Sequence, residues 1–150
     1  MKTIIKQTLP FLLALCMHGC IIEDYQTDIS WIVENKTDRT ITVSVMKSSS
    51  GGDSRTLAPD GKMDIAPEQS LFDSKRKISR TASFAYMPAK EKCFVLSDTE
   101  ILRIWRRSEK NDEGKQFFNP SSWHCDSDEK NGLSTYVWTF QIFPQDLGTD

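Results

Sequence analysis

Tyr136-Val-Trp-Thr-Phe-Gln-Ile-Phe143 is the stretch that most clearly indicates the fold of this chain. Large apolar residues occupy every second position, and the positions between them are smaller or more polar. The first set is Tyr136, Trp138, Phe140 and Ile142, and the second is Val137, Thr139 and Gln141. Successive side chains of a strand point to opposite faces, so this period of two predicts a β-strand with one buried face.

Other stretches repeat the pattern less completely. Thr40–Met46 and Ile29–Glu34 also alternate, whereas Glu100–Arg106 is apolar on both faces, which predicts a central strand. Weaker strand candidates are Cys93–Leu96, Leu57–Ile65 and the set Ala82, Phe84 and Tyr86. Short strands separated by polar turns predict a single all-β domain, either an antiparallel β-sandwich or a small β-barrel.

The connecting stretches have the composition of turns. Asn35–Arg39 is expected to be a hairpin loop, and Ser48–Ser54 a loop tip. Asn111–Gly114 and Asp126–Gly132 read as polar loops, and Glu68–Lys77 as one or two helical turns.

Composition limits the class of protein. The 150 residues are 38% hydrophobic and 27% charged, which suits one ordinary domain. A net charge of -2 argues against a nucleic-acid partner, because nucleic-acid-binding domains are normally basic. No apolar run reaches the roughly 18 residues that a membrane-spanning helix needs.

The N-terminus has the pattern of an export signal. Lys2 and Lys6 precede an apolar stretch, Leu9–Met17, and a small residue follows at Gly19. Met17-His-Gly-Cys20 resembles the cleavage box of bacterial lipoproteins. This resemblance implies a signal peptide over residues 1–19, an acylated Cys20, a tether over 20–28 and a domain over 29–150. Several acyl chains give stable anchoring to a bilayer, whereas a single chain is marginal. The alternative is a secreted protein that is cut near Gly19.

Two cysteines remain beyond Cys20. An even number of cysteines in an oxidising compartment favours a Cys93–Cys125 disulfide, and two separate thiols are the alternative.

Catalytic and metal-binding patterns are weak. His124 is the only histidine after cleavage, and no Gly-x-Ser-x-Gly motif presents a nucleophile. One histidine and two cysteines are too few for a zinc site, and Asp126–Gly132 departs from the calcium-loop spacing. We therefore expect no catalytic residue, no metal and no cofactor.

Trp123 is the single candidate for ligand binding. It follows Asn119-Pro-Ser-Ser122 in a segment without alternation, so nothing in the pattern forces its indole inward. We expect Trp123 to be more exposed than Trp31 and Trp138, which lie on apolar strand faces, and to stack on a sugar ring. Trp105 is expected in the core.

The chain resembles the small lipoproteins of Bacteroidales, which often have an immunoglobulin-like sandwich. The residues that carry this resemblance are Asn35-Lys-Thr37, Ile41–Val45, Ile65–Ser70, Ile101–Arg106, Phe117–Trp123 and Tyr136–Phe140. The chain departs from the family pattern at Glu68, where glycine is expected. The resemblance implies an antiparallel immunoglobulin-like β-sandwich and attachment to the outer membrane, and it supplies no catalytic residues.

Three functions are consistent with these observations. The first is a non-enzymatic, lipid-anchored envelope protein that binds a glycan or another envelope protein. The second is a carbohydrate-active accessory protein or weak glycan hydrolase, and the third is a purely structural envelope component. A flat aromatic strip would favour binding, whereas a cleft with two facing carboxylates would favour hydrolysis.

Overall fold

A computed structural model of the chain describes residues 24–48 and 51–148. The predicted signal peptide over residues 1–19, the predicted acylation at Cys20 and the tether residues 21–23 lie outside these residues, so their assignment stays a prediction.

Within the described residues the chain forms nine strands and one short helix. The strands are β1 (Tyr25–Asn35), β2 (Ile41–Ser48), β3 (Gly51–Leu57), β4 (Lys62–Asp64), β5 (Leu71–Ser74), β6 (Lys92–Ser97), β7 (Glu100–Arg106), β8 (His124–Lys130) and β9 (Leu133–Ile142). The helix α1 (Arg80–Ser83) continues into a 3-10 turn, Phe84–Tyr86, and further 3-10 turns cover Arg107–Glu109, Pro120–Ser122 and Pro144–Leu147.

The strands form two sheets. One has the order β4-β1-β9-β8, with β5 also paired to β1, and the other has the order β3-β2-β6-β7. The pairing of β1 with β9 is parallel, and all other pairs are antiparallel. Neither sheet closes on itself. The predicted β-sandwich is therefore confirmed, and the barrel alternative is wrong.

The core lies between the sheets and follows the alternation of the sequence. In β9 the buried residues are every second one, from Ser134 to Ile142. Trp31, Trp105 and Trp138 are all buried, as predicted. Trp105 of one sheet meets Phe140 of the other edge-on, with ring centroids 5.1 Å apart. This geometry is favourable for aromatic pairs, and the contact joins the edge strand β7 of one sheet to β9 of the other.

Two strand predictions need correction, because packing between elements decided where these segments lie. Glu100–Arg106 forms β7 at the edge of its sheet, so Ile101 is 52% exposed. Ala82, Phe84 and Tyr86 lie in α1 and its 3-10 extension. The side chain of Ser79 accepts a hydrogen bond from the Ala82 amide and caps this helix, which the strand reading overlooked.

Two predicted loops, one predicted helical stretch and one predicted strand also differ from the structure. Asp126–Lys130 belongs to β8, and the turn is only Asn131-Gly132, where both residues have positive φ. Such a turn fits a two-residue hairpin. Within Glu68–Lys77 the chain forms β5 rather than helical turns, and β3 begins at Gly51 inside the expected tip. Within the stretch Leu57–Ile65, Leu57 ends β3 and Lys62–Asp64 forms β4, so the stretch is not one strand.

Two further boundaries change. Asn35–Arg39 is not a hairpin loop, because β1 and β2 belong to different sheets and the segment crosses between them. Tyr25–Asp28, assigned to the tether, pairs with β5 and with the start of β9. These backbone hydrogen bonds place the first strand four residues earlier than the sequence predicts. No helix of residues 24–48 and 51–148 is long and apolar enough to span a membrane.

Candidate ligand-binding site

One end of the sandwich is crossed by the segment from Ser79 to Lys90, and the core holds this segment in place. The indole Nε1 of Trp138 donates to the hydroxyl of Ser83 over 2.9 Å, and that hydroxyl donates to the Arg80 carbonyl over 2.6 Å. The ring of Phe84 packs edge-on against Trp138 at 5.0 Å. Ser83 and Phe84 therefore act as anchors, and the residues that follow them are presented at the surface.

A groove of about 580 Å³ lies beside this segment. Its walls come from the end of β2, the start of β3, the Pro67–Phe72 stretch and residues 85–90. Tyr86 and Phe72 lie together in it, with ring centroids 4.5 Å apart and planes inclined by 43°. Tyr86 is 44% exposed, whereas Phe72 is half-buried and packs against the core. The groove therefore offers ligands a partly exposed aromatic surface on a fixed support.

Charged and polar side chains surround this aromatic pair. The Lys47 ammonium lies 2.7 Å from an Asp53 carboxylate oxygen, and the same oxygen accepts from the Ala66 amide over 3.2 Å. The backbone amide of Lys90 donates to the Met46 carbonyl over 2.9 Å, which fixes the backbone from which the Lys90 side chain projects. Glu68 completes the charged set, so the lining has two lysines and two carboxylates. An apolar surface with a few polar groups is typical of small-ligand sites.

Gly52 shapes one wall of the groove. A Cβ atom at this position would lie 2.4 Å from the Val45 carbonyl oxygen, which is too close for any side chain. The pairing of β2 with β3 also shifts register between Met46 and Ser48. Glycine thus permits the close approach of β3 to β2 at the point where both strands border the groove.

Trp123 does not form part of this groove, and the prediction that its indole is exposed is wrong. The side chain is 5% exposed, close to the 3% of Trp138. Its Nε1 donates to the Phe117 carbonyl over 2.6 Å, and its ring contacts Phe84 at 5.8 Å and Phe140 at 5.1 Å. Burial of a large ring is strongly favourable, and a loop can fold a tryptophan over the core without any alternating pattern.

The predicted Cys93–Cys125 disulfide is also wrong, because both thiols are free and buried. Cys93 lies in β6 opposite Trp105, and Cys125 lies in β8 of the other sheet opposite Trp138. The two cysteines therefore belong to different sheets, and both contribute to the core. Burial raises the pKa of both groups, so they stay protonated and are poor nucleophiles.

The other residues that were considered for catalysis or metal binding lie outside the groove. His124 is exposed in β8, with Nε2 3.0 Å from an Asp126 carboxylate oxygen. The Asp126–Gly132 stretch is a strand and a turn rather than a loop that could wrap a cation. In the part of the chain that the structure describes, no three His, Cys, Asp or Glu side chains come together as metal ligands.

Tyr86 was not predicted as a site residue. The sequence pattern placed it in a strand candidate, which implied burial with Phe84. The Ser79 cap before Arg80–Ser83 was the available signal, because a helical turn places residues 84 and 86 on different sides. The partner Phe72 could not be found in this way, since it is distant in sequence and belongs to another strand.

Comparisons with protein-family models, with curated proteins and with solved structures gave no match. The resemblance to Bacteroidales lipoproteins therefore stays an expectation from the sequence, and the function must be argued from the site.

Proposed function

We propose that this protein is a non-enzymatic, lipid-anchored domain of the bacterial cell envelope that binds a glycan in the groove beside Tyr86. The observation that carries the proposal is the Tyr86–Phe72 pair, an aromatic surface left partly exposed in a groove with polar walls. The apolar face of a sugar ring packs on an aromatic ring, while its hydroxyl groups need hydrogen-bonding partners nearby.

The lining of the groove supplies such partners. Lys47, Asp53, Glu68, Gln69 and Lys90 all line it. Together they provide donors and acceptors, so a ligand with many hydroxyl groups can replace its bound water on binding. A purely apolar ligand would instead leave these groups without partners.

Anchoring at Cys20 is the second part of the proposal, and it rests on the N-terminal signal pattern. Cys20→Ala should abolish incorporation of labelled fatty acid and should release the protein into the soluble fraction of the cell, because the acyl chains provide the membrane affinity. Acyl labelling of the mutant, or its absence from the wild type, would contradict this part.

The groove is tested by replacing Tyr86. Tyr86→Ala should remove binding to immobilised oligosaccharides, and Tyr86→Phe should retain most of it because the ring remains. Leu71→Ala is the matched control: Leu71 is 46% exposed next to the groove but does not line it. Equal loss of binding in Tyr86→Ala and Leu71→Ala would contradict a specific site.

A weak glycan hydrolase is the second candidate, and the presence of two carboxylates in the groove favours it. Asp53 and Glu68 both line the groove, and glycosidases use a pair of carboxyl groups. Asp53, however, already binds Lys47 and the Ala66 amide, so its carboxylate serves to hold the wall. Our proposal expects no release of reducing sugar; release that stops in Glu68→Gln would favour the hydrolase instead.

A further inference from the structure

A second groove of about 460 Å³ also borders the segment from Ser79 to Lys90, which contains α1 and which we call the α1 segment. Phe84, Met87 and Phe118 give it an apolar floor, and Arg107 and Lys110 form part of its rim. Ala85 lines this groove and the first one as well, so the two are contiguous across a single exposed residue. We call them the aromatic groove and the basic groove.

The two grooves differ in charge. In the aromatic groove two lysines are balanced by two carboxylates, and Lys47 is paired with Asp53. The lining of the basic groove contains Arg107 and Lys110 but no aspartate or glutamate. Among the described residues neither of these cations has a carboxylate within ion-pair distance, and the neighbouring Glu109 is paired with Arg106 at 3.1 Å. This groove is therefore locally positive on a chain of net charge -2.

Backbone hydrogen bonds fix the positions from which these two cations project. The Arg107 amide donates to the Glu91 carbonyl over 2.9 Å, which ties the turn to the start of β6. The Asn119 side-chain amide donates to the Lys110 carbonyl over 3.0 Å. The same side chain accepts from the Ser121 amide over 3.0 Å, so its orientation is fixed too. Cations on a held backbone lose less freedom when they bind an anion.

We propose that the ligand of this protein is an acidic oligosaccharide, with one sugar ring on Tyr86 in the aromatic groove and a neighbouring uronate carboxylate between Arg107 and Lys110. The inference rests on the proposed function and specifies its ligand class. Arginine and lysine form charge-assisted hydrogen bonds with carboxylates, and no acidic side chain of the groove competes for them. The shared border at Ala85 places the two subsites next to each other, as neighbouring units of one chain require.

The test compares each acidic ligand with its neutral methyl ester. A panel of immobilised oligosaccharides is used in which each uronate member, such as a galacturonate hexamer, is paired with its methyl ester. The protein should bind uronates more tightly than their esters, by about tenfold for two charge-assisted contacts. R107Q/K110Q should reduce uronate binding to the level of the ester. K75Q/R76Q is the matched control, because it removes the same charge at exposed residues outside both grooves.

The outcomes separate this inference from the proposed function. Equal binding of uronate and ester by the wild type, or an unchanged preference in R107Q/K110Q, overturns the acidic ligand; loss of ester binding in Tyr86→Ala would then still support the glycan groove. Binding that does not respond to Tyr86→Ala overturns the proposed function. A hexaglutamate peptide that binds through Arg107 and Lys110, with no oligosaccharide binding, overturns the glycan class. A panel without any binding overturns both.

Discussion

The two ends of the sandwich differ in whether their polar groups are bonded within the chain or exposed to solvent. At one end Asn35 is fully buried, and its side-chain amide donates to the carbonyls of Arg39, Leu57 and Ala58 over 2.8 to 3.1 Å. Its side-chain oxygen accepts from both the amide and the hydroxyl of Thr37. At the other end lie the partly exposed Tyr86 and the two cations of the basic groove.

This difference indicates which end of the molecule can bind a ligand. At the Asn35 end, hydrogen-bonding groups are satisfied within the chain, so a ligand there would have to compete with existing bonds. At the grooved end, aromatic surface and unpaired cations face solvent, and a ligand would replace water instead. We therefore expect substitutions at the Asn35 end to change stability, and substitutions of exposed residues at the grooved end to change binding.

Trp123 links the grooved end to the core, and its removal should have the largest effect. Trp123→Ala should lower the free energy of unfolding by about 3–5 kcal/mol, because it leaves a cavity below Phe84 and beside Phe140. Equilibrium urea unfolding measures the change. Trp123→Phe should cost less, since a ring still fills most of the space. A loss below about 1 kcal/mol in Trp123→Ala would mean that the segment from Ser79 to Lys90 folds without the contact between Phe84 and Trp123.

Asn35→Ala tests the closed end. It should lower the free energy of unfolding by about 2–3 kcal/mol, because it removes the donors of three carbonyls at the crossing between the sheets. Oligosaccharide binding by the folded fraction should not change. Thr99→Ala, at an exposed turn outside both grooves, is the control and should be neutral. A destabilisation no greater than that of the control would contradict the role of Asn35.

Glu34 makes the stability of the Asn35 end depend on pH. Burial by itself would raise its pKa, but hydrogen bonds from Gln141, Lys36 and Lys62 outweigh this and lower the pKa from 4.5. A carboxylate with a lowered pKa in the folded state stabilises the fold above its unfolded pKa, and the contribution is lost as the pH falls through the folded value.

Glu34→Gln should therefore cost roughly 1 kcal/mol at pH 7, and the cost should disappear in acid. Chemical denaturation of both proteins at pH 7, 4.5 and 3 measures this difference. The wild type should lose stability on acidification over this range more steeply than the variant. Parallel pH profiles for the two proteins would show that the ion pairs of Glu34 contribute nothing to stability.

Tyr86→Ala should have the smallest effect on stability and a large effect on binding. Tyr86 is 44% exposed, so its removal should change the free energy of unfolding by no more than about 0.5 kcal/mol. Thermal unfolding and oligosaccharide binding are measured on the same sample. A strongly destabilised variant would place Tyr86 with the supporting core, and the contrast between the two ends would fail.

The strands with clear alternation could be predicted from the sequence alone. β2 and β9 appear where Thr40–Met46 and Tyr136–Phe143 indicate, because period-two burial is a local property that each strand carries in its own residues. The Asn131-Gly132 turn was equally local and was missed, although this pair is the strongest signal for a two-residue hairpin. The positive φ values of this turn bring β9 back along β8.

The candidate site could not be predicted in the same way. Lys47, Asp53, Phe72 and Tyr86 come from four separate parts of the chain and meet only because two sheets and the α1 segment pack together. Sequence reasoning placed the binding aromatic at Trp123 from the absence of alternation. That absence means only that no strand fixes the side chain, and burial was then decided by the space left between Phe84, Phe117 and Phe140.

The sequence by itself determined an all-β chain, most of the residues that line the core, and the N-terminal pattern that suggests a lipid anchor. Only the tertiary structure decided which sheet each strand joins, that Cys93 and Cys125 stay apart, and that Tyr86 rather than a tryptophan is left partly exposed. The physical reason is that alternation fixes which face of a strand avoids water, whereas exposure at the end of a sandwich depends on which surfaces other segments have already covered.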